Sequence, residues 1–155
     1  MGGGMFTAFD VSGSALRAER LRMNLIANNL ANMTTTRVNG QRATPYRRRQ
    51  AIFALGSPDM TGDEGLGVRL DRVELDSAPF RRVWRPGHPD AITDADIERS
   101  GGRLDPEDRG YVLMPNLSLP VEMVDMIEAS RAYEANVTAV QITKAMLEGV
   151  LQVLA

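Results

Sequence analysis

The fold is decided by the C-terminal stretch 118–154, which reads SLPVEMVDMIEASRAYEANVTAVQITKAMLEGVLQVL. Apolar residues recur in it at seven-residue intervals, at Met126, Tyr133, Val140, Leu147 and Leu154. This spacing keeps the side chains on one stripe of an α-helix, and such a stripe requires a partner helix. The pattern predicts a helix of about 35 residues, roughly 52 Å long. Because ordinary helices average about 11–12 residues, this one is predicted to be a structural rod.

A second stripe of the same kind lies at the N-terminal end, at Phe9, Leu16, Met23 and Leu30. We predict a helix from Thr7, with Asp10 completing a capping box, to Met33. Asn28, Asn29 and Asn32 weaken its end. Other apolar residues mark a second face, namely Ala18, Leu21 and Leu25. A helix that is apolar on two sides is buried on two sides, so contacts with other subunits are expected.

The segment between the two helices has neither stripe. Short strands are predicted at 47–55, 67–76 and 80–85, and the acidic, apolar-poor segment at about 92–109 is predicted to be an exposed insertion. The predicted class is therefore α+β, with long N- and C-terminal helices paired as a coiled coil and a small β-containing middle region. Residues 1–40 and 115–155 would form the helical domain, and residues 41–114 a small domain of strands and loops.

Composition restricts the function. The 43% hydrophobic fraction is that of a folded domain, and a net charge of −2 argues against nucleic acid as a partner. The charge is unevenly spread, however, at +6 over residues 1–50, −5 over 51–110 and −3 over 111–155. Chain segments of opposite sign attract each other within a molecule or head-to-tail between molecules. No cysteine is present, so disulfides and thiolate metal sites are excluded.

The start of the chain is not typical of a secretory signal peptide. It has neither a basic segment nor an apolar run of 7–15 residues. Nor is any stretch long and apolar enough to span a bilayer, which takes about 18 residues or more. A protein of this kind that leaves the cytoplasm is expected to use a route without a cleaved signal.

No motif indicates a catalytic site or a bound cofactor. His88 is the only histidine, and the prolines and glycine around it favour a rigid turn in which His88 packs or bonds to backbone, over a general base oriented by Asp90. Asp94, Asp96 and Glu98 lack the remaining ligands of a calcium loop, so a solvated loop is the preferred interpretation. The glycines at 62, 65 and 67 lack the lysine of a phosphate loop and are interpreted as turns.

The basic segment 47–49, three consecutive arginines, could neutralise phosphates. Alternation along a strand would place these side chains on different faces, however. An acidic surface of a partner is therefore the better interpretation, and the 90–108 segment of a neighbouring subunit is a candidate for it.

Several motifs resemble a known family. FDVSGSAL at 9–16, RLRMN at 20–24 and NNLAN at 28–32 resemble the N-terminal signature of the flagellar rod and hook axial proteins. The later motifs are similar to those of the family's shorter, proximal-rod members: PYRR at 45–48, PGHPDA at 86–91, GYVLMPN at 110–116 and SRAYEAN at 130–136. The resemblance is collinear and covers most of residues 5–155.

This resemblance implies a structural, non-enzymatic subunit of the bacterial flagellar basal body. Its terminal helices would line the inner layer of a helical tube that crosses the periplasm, and the middle region would form an outer layer. The implied partners are other copies of the chain, other proximal and distal rod proteins and the flagellar type III export apparatus; the MS ring and the basal-body adaptor are further candidates. No cofactor, metal, nucleic acid or small-molecule substrate is implied.

The predicted subunit interface consists of the two stripes and one additional core-type residue: Phe9, Leu16, Met23, Ile26, Leu30, Met126, Tyr133, Val140, Leu147 and Leu154. The alternative is a soluble coiled-coil adaptor that binds one partner helix and forms no tube. A finite dimer or heterodimer in solution would distinguish it from a rod subunit.

Overall fold

The computed structural model describes residues 3–56 and 67–154, and the side chains of residues 8–56 and 67–152. The elements in chain order are helix α1 (Gly3–Ala31), strands β1 (Arg49–Leu55), β2 (Val68–Leu75) and β3 (Arg81–Trp84), helix α2 (Asp94–Arg99), a 3₁₀ turn (Pro106–Asp108), strand β4 (Tyr111–Met114) and helix α3 (Leu119–Leu154). The predicted α+β class, with a helix at each end and a small β region between, is confirmed.

The chain separates into two compact units. The first unit contains Met1–Ala27, Gln50–Glu74 and Met123–Ala155; the second contains Asn28–Arg49 and Leu75–Glu122. Each unit takes sequence from several parts of the chain, so neither can be excised as one continuous segment. The division into a helical domain and a middle domain made from the sequence stays a prediction.

The terminal helices contact each other at two places. Arg22 lies 3.6 Å from Glu128, and the Asn29 side chain donates a hydrogen bond of 3.1 Å to Glu122. As α1 advances from residue 22 to 29, its contacts on α3 move back from 128 to 122, so the two helices run antiparallel. Ala18, Ile26 and Ala129 are buried, and full burial of an isoleucine side chain contributes about 1.5–3 kcal/mol.

The start of α1 differs from the prediction. The helix begins at Gly3, so the capping box at Thr7 and Asp10 is wrong, and it ends at Ala31. The bounds of α3 agree with the prediction, because its apolar repeat continues without a proline after the first turn.

Four strands form two small sheets. β1 pairs with β2, and β3 pairs with β4. In the second pair Arg81 lies opposite Met114 and Trp84 opposite Tyr111, in antiparallel register. The three predicted strands are confirmed within two residues at either end, whereas β4 was missed. Strand β4 is only four residues long. Gly110 separates it from the acidic segment, and the φ of +79° at this position favours glycine. A side chain there would also meet the Trp84 ring at 2.7 Å.

Most residues of the acidic segment are exposed, as its composition predicts, but the segment is not a loop throughout. Within it, α2 and the 3₁₀ turn are ordered around three buried side chains, Ile92, Asp96 and Asp108. Asp96 accepts hydrogen bonds from the backbone N–H and the hydroxyl of Thr93, at 3.1 and 2.6 Å, which makes a capping box at the start of α2. Asp108 pairs with Arg82 at 2.8 Å. Composition suggested solvation because it does not reveal that these carboxylates have partners.

In the first unit, a serine of α1 anchors β2. The Ser14 hydroxyl donates to the carbonyl of Val11 and accepts the N–H of Val68, at 2.7 and 3.0 Å. Gly67, predicted to lie in a turn, has a φ of +104°, and a Cβ atom there would approach the Ser14 hydroxyl to 2.6 Å. Glycine is therefore required at 67 on both counts. The other two predicted turn glycines, at 62 and 65, lie outside the described residues.

Candidate assembly surface and its polar anchor

The first candidate surface is an apolar stripe on α3, here called the outer stripe: Val124, Ile127, Ile142, Met146 and Val150. Each of these residues has between 47% and 60% of its surface exposed to solvent. Eighteen residues make five turns of an α-helix, so Val124 and Ile142 point in the same direction. Large exposed apolar side chains that share one helix face are typical of an interaction surface.

The predicted interface residues of α3 lie on the opposite face of the helix. Met126, Tyr133, Val140 and Leu147 are half-buried, and Ala129, between the first two, is fully buried. On α1, Phe9, Leu16, Met23 and Leu30 are half-buried, and Ile26 is 5% exposed. The side chain of Leu154 lies outside the described residues. The heptad stripes thus lie on the partly covered faces of their helices, and their role between subunits stays a prediction.

The outer stripe is the part of the candidate surface that sequence reasoning missed. The signal was present in two separate pieces, at 124 and 127 and at 142, 146 and 150, each of which keeps helical spacing. Glu128 and Arg131 interrupt it, so the longer heptad stripe dominated the pattern. Only exposure within the folded chain distinguishes the two faces.

A buried polar cluster in the second unit joins the end of α1, the start of β1 and the start of α3. It consists of Asn29, Tyr46, Arg48, Glu122 and the backbone of Arg49. Asn29 and Glu122 are each 1% exposed. Their positions are 93 residues apart in sequence, so this cluster fixes where the two terminal helices meet.

Asn29 uses its full hydrogen-bonding capacity in the cluster. Its amide nitrogen donates to the carbonyl of Arg49 at 3.0 Å and to Glu122 at 3.1 Å. Its amide oxygen accepts the Arg49 N–H and the Tyr46 hydroxyl, both at 3.0 Å. An asparagine side chain offers two donors and two lone pairs, and all four are satisfied. The interpretation of Asn29 as a helix-weakening residue is therefore incomplete, because tertiary bonds compensate its low propensity.

Charge in the cluster is paired. Arg48 Nε lies 2.5 Å from Glu122 Oε1, and 19% of the arginine side chain is exposed. Glu122 also lies in the first turn of α3, where the helix dipole stabilises a carboxylate. Burial raises the pKa of Tyr46, with Arg49 opposing and Glu122 adding to the shift. The phenol therefore stays protonated and keeps its donor for Asn29.

Arg47 and Arg48 of the basic segment have partners within the chain. Arg47 donates to the backbone carbonyls of Asp76 and Ala78, at 2.9 and 3.4 Å, and its guanidinium lies 4.1 Å from the centre of the Phe80 ring. Arg48 belongs to the polar cluster. The acidic partner predicted for this basic segment is, for Arg48, a carboxylate of its own chain, Glu122.

The single histidine lies in the predicted turn. The backbone N–H of Asp90 donates to His88 Nδ1 at 3.1 Å, which confirms the backbone-bonded interpretation. The Asp90 carboxylate points elsewhere: it accepts bonds from the Thr36 hydroxyl at 2.7 Å and from Arg37. A general base oriented by Asp90 does not fit this arrangement.

Two anchored carboxylates make the second unit sensitive to acid. Hydrogen bonding by Thr36, helped by Arg37 and His88, lowers the pKa of Asp90 below 3.8. The Thr93 side chain and backbone, with Arg99 and Arg42, lower the pKa of Asp96 in the same way. A carboxyl with a depressed folded-state pKa stabilises the fold above its unfolded pKa, and this stabilisation is lost as the pH falls through the folded value.

We therefore expect the free energy of unfolding to decrease as the pH is lowered from about 5 towards and below the folded pKa of these groups. Thr36→Val should lower the stability near neutral pH and make the acid-induced decrease smaller, since Asp90 then loses its main hydrogen bond. Urea titrations at several pH values, followed by the fluorescence of Trp84, would measure both. Glu107→Gln, at an exposed position, is the control, and an equally flattened profile in that variant would contradict this explanation.

Among the described residues, no group of three or more histidine, aspartate or glutamate side chains could hold a metal ion. Within the same part of the chain, no helix combines the length and apolarity needed to cross a membrane.

Comparison with known proteins identifies the class to which these helices belong. The family described as "Flagella basal body rod protein" matches residues 9–37, which contain most of α1. The family described as "Flagellar basal body rod FlgEFG protein C-terminal" matches residues 108–153, which contain β4 and nearly all of α3. Both matches therefore fall on the elements that carry the apolar stripes.

Curated relatives extend the similarity to nearly the whole chain. The flagellar basal-body rod protein FlgC of Borreliella burgdorferi is 39% identical, over 97% of this chain and 98% of the relative. FlgC of Bacillus subtilis is 37% identical over 96% and 97%, and FlgC of Salmonella typhimurium is 35% identical over 92% of each. The chain belongs to the FlgC family of flagellar basal-body rod proteins.

Proposed function

We propose that this chain is a structural subunit of the proximal rod of the bacterial flagellar basal body. It assembles helically with copies of itself and with other rod proteins into the shaft that crosses the periplasm. The observation that carries this proposal is the pair of opposed apolar faces on α3. One face is partly covered within the chain, whereas Ile142 and Met146 of the outer stripe are 51% and 60% exposed.

Exposed apolar surface of this extent supports burial between subunits. Covering an aliphatic side chain contributes about 1.5–3 kcal/mol, so a stripe of five half-exposed residues supplies several kcal/mol for each contact. A contact between different faces of identical subunits continues as an open helix when its rotation does not close into a ring. Helical continuation is what a tubular shaft requires.

The terminal regions and the middle region of the chain would form different layers of the shaft. Residues 1–40 and 115–155 form the inner, channel-lining layer, and residues 41–114 form an outer layer. The interface combines the heptad stripes with the outer stripe. The chain leaves the cytoplasm through the flagellar type III export apparatus without a cleaved signal, and the MS ring and basal-body adaptor are its candidate neighbours at the membrane.

This role requires neither catalysis nor a cofactor, and we propose that the chain is not an enzyme. A coiled-coil adaptor remains the alternative from the sequence, but it is not favoured, because the compared relatives carry the names of rod proteins.

Incorporation into basal bodies tests the proposal. In cells whose own copy of the gene is deleted, the chain should restore swimming and be recovered with purified basal bodies. Leu147→Asp should abolish both while the chain is still exported, because a charge on a half-buried apolar stripe costs several kcal/mol to cover. Immunoblots of basal bodies and culture medium measure the two steps separately. Swimming at the wild-type level by the Leu147→Asp strain would contradict the proposed interface.

A further inference from the structure

A large open cavity in the second unit is lined mainly by arginines. Its volume is about 1160 Å³, which is larger than the usual range for small-molecule pockets, about 300–1,000 Å³. Among the described residues, six arginines and one carboxylate, Asp96, line it: Arg37, Arg42, Arg47, Arg49, Arg99 and Arg103. Apolar walls include Phe80 and Leu104. A cavity of this charge and width fits an acidic protein segment better than a small apolar ligand.

Half of these guanidinium groups have no carboxylate partner among the described residues. Arg37 pairs with Asp90, and Arg42 and Arg99 share Asp96. Arg47, Arg49 and Arg103, in contrast, contact rings or backbone carbonyls: Arg47 lies over Phe80, Arg49 lies 5.6 Å from the centre of the Tyr46 ring, and Arg103 donates to the carbonyl of Ser100. Stacking holds a guanidinium by its face and leaves N–H groups at its edge for a carboxylate.

The same chain presents an acidic surface of matching character. Asp94 and Glu98 are four residues apart on α2, so they share one face of the helix, and both are exposed. Asp96 and Arg99, which line the cavity, lie on the other side of the same helix. The ion pair between Asp94 and Arg109, at 3.4 Å, is largely exposed and is therefore weak. One side of helix α2 therefore borders the basic cavity, and the opposite side presents the exposed acidic pair to solvent.

We propose that this cavity receives the acidic face of α2, Asp94 and Glu98, from a second copy of the chain in the rod. The contact is heterologous, because two different surfaces meet, and it repeats from one copy to the next. The inference rests on the proposed function and specifies one contact of the assembly. It also uses the arginines that the cavity holds without carboxylate partners.

Engineered disulfides test the contact directly. The chain has no cysteine, so every disulfide formed in the variants is informative. Gln41 lines the cavity and is exposed. In basal bodies purified from cells that carry Q41C/E98C, mild oxidation should produce a ladder of multimers on a non-reducing gel. Each single variant should give no ladder. The control is Q141C/E98C, because Gln141 is an exposed residue of α3, and it should remain monomeric.

A charge exchange provides the second test. R49E/R103E and D94R/E98R, made without cysteines, should each reduce swimming and the amount of the chain in basal bodies by about tenfold, because like charges then meet across the contact. The combined fourfold variant should recover most of the loss, whereas Arg85→Glu, at an exposed position outside the cavity, should have no effect. Basal bodies that contain the Q41C/E98C chain but give no ladder would overturn this contact alone. Absence of the wild-type chain from basal bodies would overturn both this contact and the proposed function.

Discussion

Glu122→Ala should lower the free energy of unfolding by about 3–5 kcal/mol, because it removes one member of a buried, hydrogen-bonded charge pair. Arg48 would lose a partner at 2.5 Å, and one of the Asn29 donors would lose its acceptor. That total includes the cost of a buried donor without an acceptor, about 1–3 kcal/mol. Urea titration measures the change, and the fluorescence of Trp84 reports it, since Trp84 is the only tryptophan and lies in the second unit.

Two matched variants separate burial from charge. Glu122→Gln keeps the size and one acceptor oxygen, so its loss of stability should be intermediate. Glu128 pairs with Arg22 on the same two helices, but 62% of its side chain is exposed, so Glu128→Ala should cost about 0–1 kcal/mol. Equal unfolding midpoints for Glu122→Ala and Glu128→Ala would show that the polar cluster does not stabilise the junction of the helices.

Ile142→Asp should abolish swimming and remove the chain from basal bodies without changing the stability of the isolated chain. The side chain is 51% exposed, so a charge is tolerated while the position remains in water. Covering that charge in the assembled rod costs several kcal/mol, and the apolar contribution of isoleucine, about 1–3 kcal/mol, is lost as well. Swimming assays and immunoblots of basal bodies measure the effect, and urea titration measures the stability.

The control for this variant is the adjacent position. Gln141 is exposed and lies about 100° around the helix from Ile142, so Gln141→Asp adds the same charge away from the outer stripe. It should leave swimming intact. If the two variants swim equally well, the outer stripe is not a subunit contact. If Ile142→Asp instead unfolds the isolated chain, its effect on assembly is indirect.

The terminal helices could be predicted from the sequence because their information is local. A repeat of apolar residues along one stripe defines α3 without knowledge of any distant contact, and Pro120 is accommodated in its first turn. The turn at His88 was predictable for the same reason, since two prolines restrict the backbone and the glycine between them permits a tight turn.

The sequence-based predictions that missed buried carboxylates share a physical cause. The acidic segment was interpreted as solvated from its composition, yet its Asp96 is buried and pairs with Arg42, more than fifty residues earlier. Asp108, in the 3₁₀ turn that precedes β4, is paired with Arg82 of strand β3. Long-range pairing decides whether a carboxylate is buried, and spacing along the chain does not reveal it.

The sequence by itself determined that this chain has two long apolar-striped helices, a small β region and the motifs of a flagellar rod protein, because helical periodicity and turn-forming residues act over a few neighbours. Only the tertiary structure decided which face of α3 is covered by its own chain and which remains open, and that Asn29 joins Glu122 at the meeting point of the helices. Those properties depend on contacts between residues about 90 positions apart, which arise only when the chain has folded.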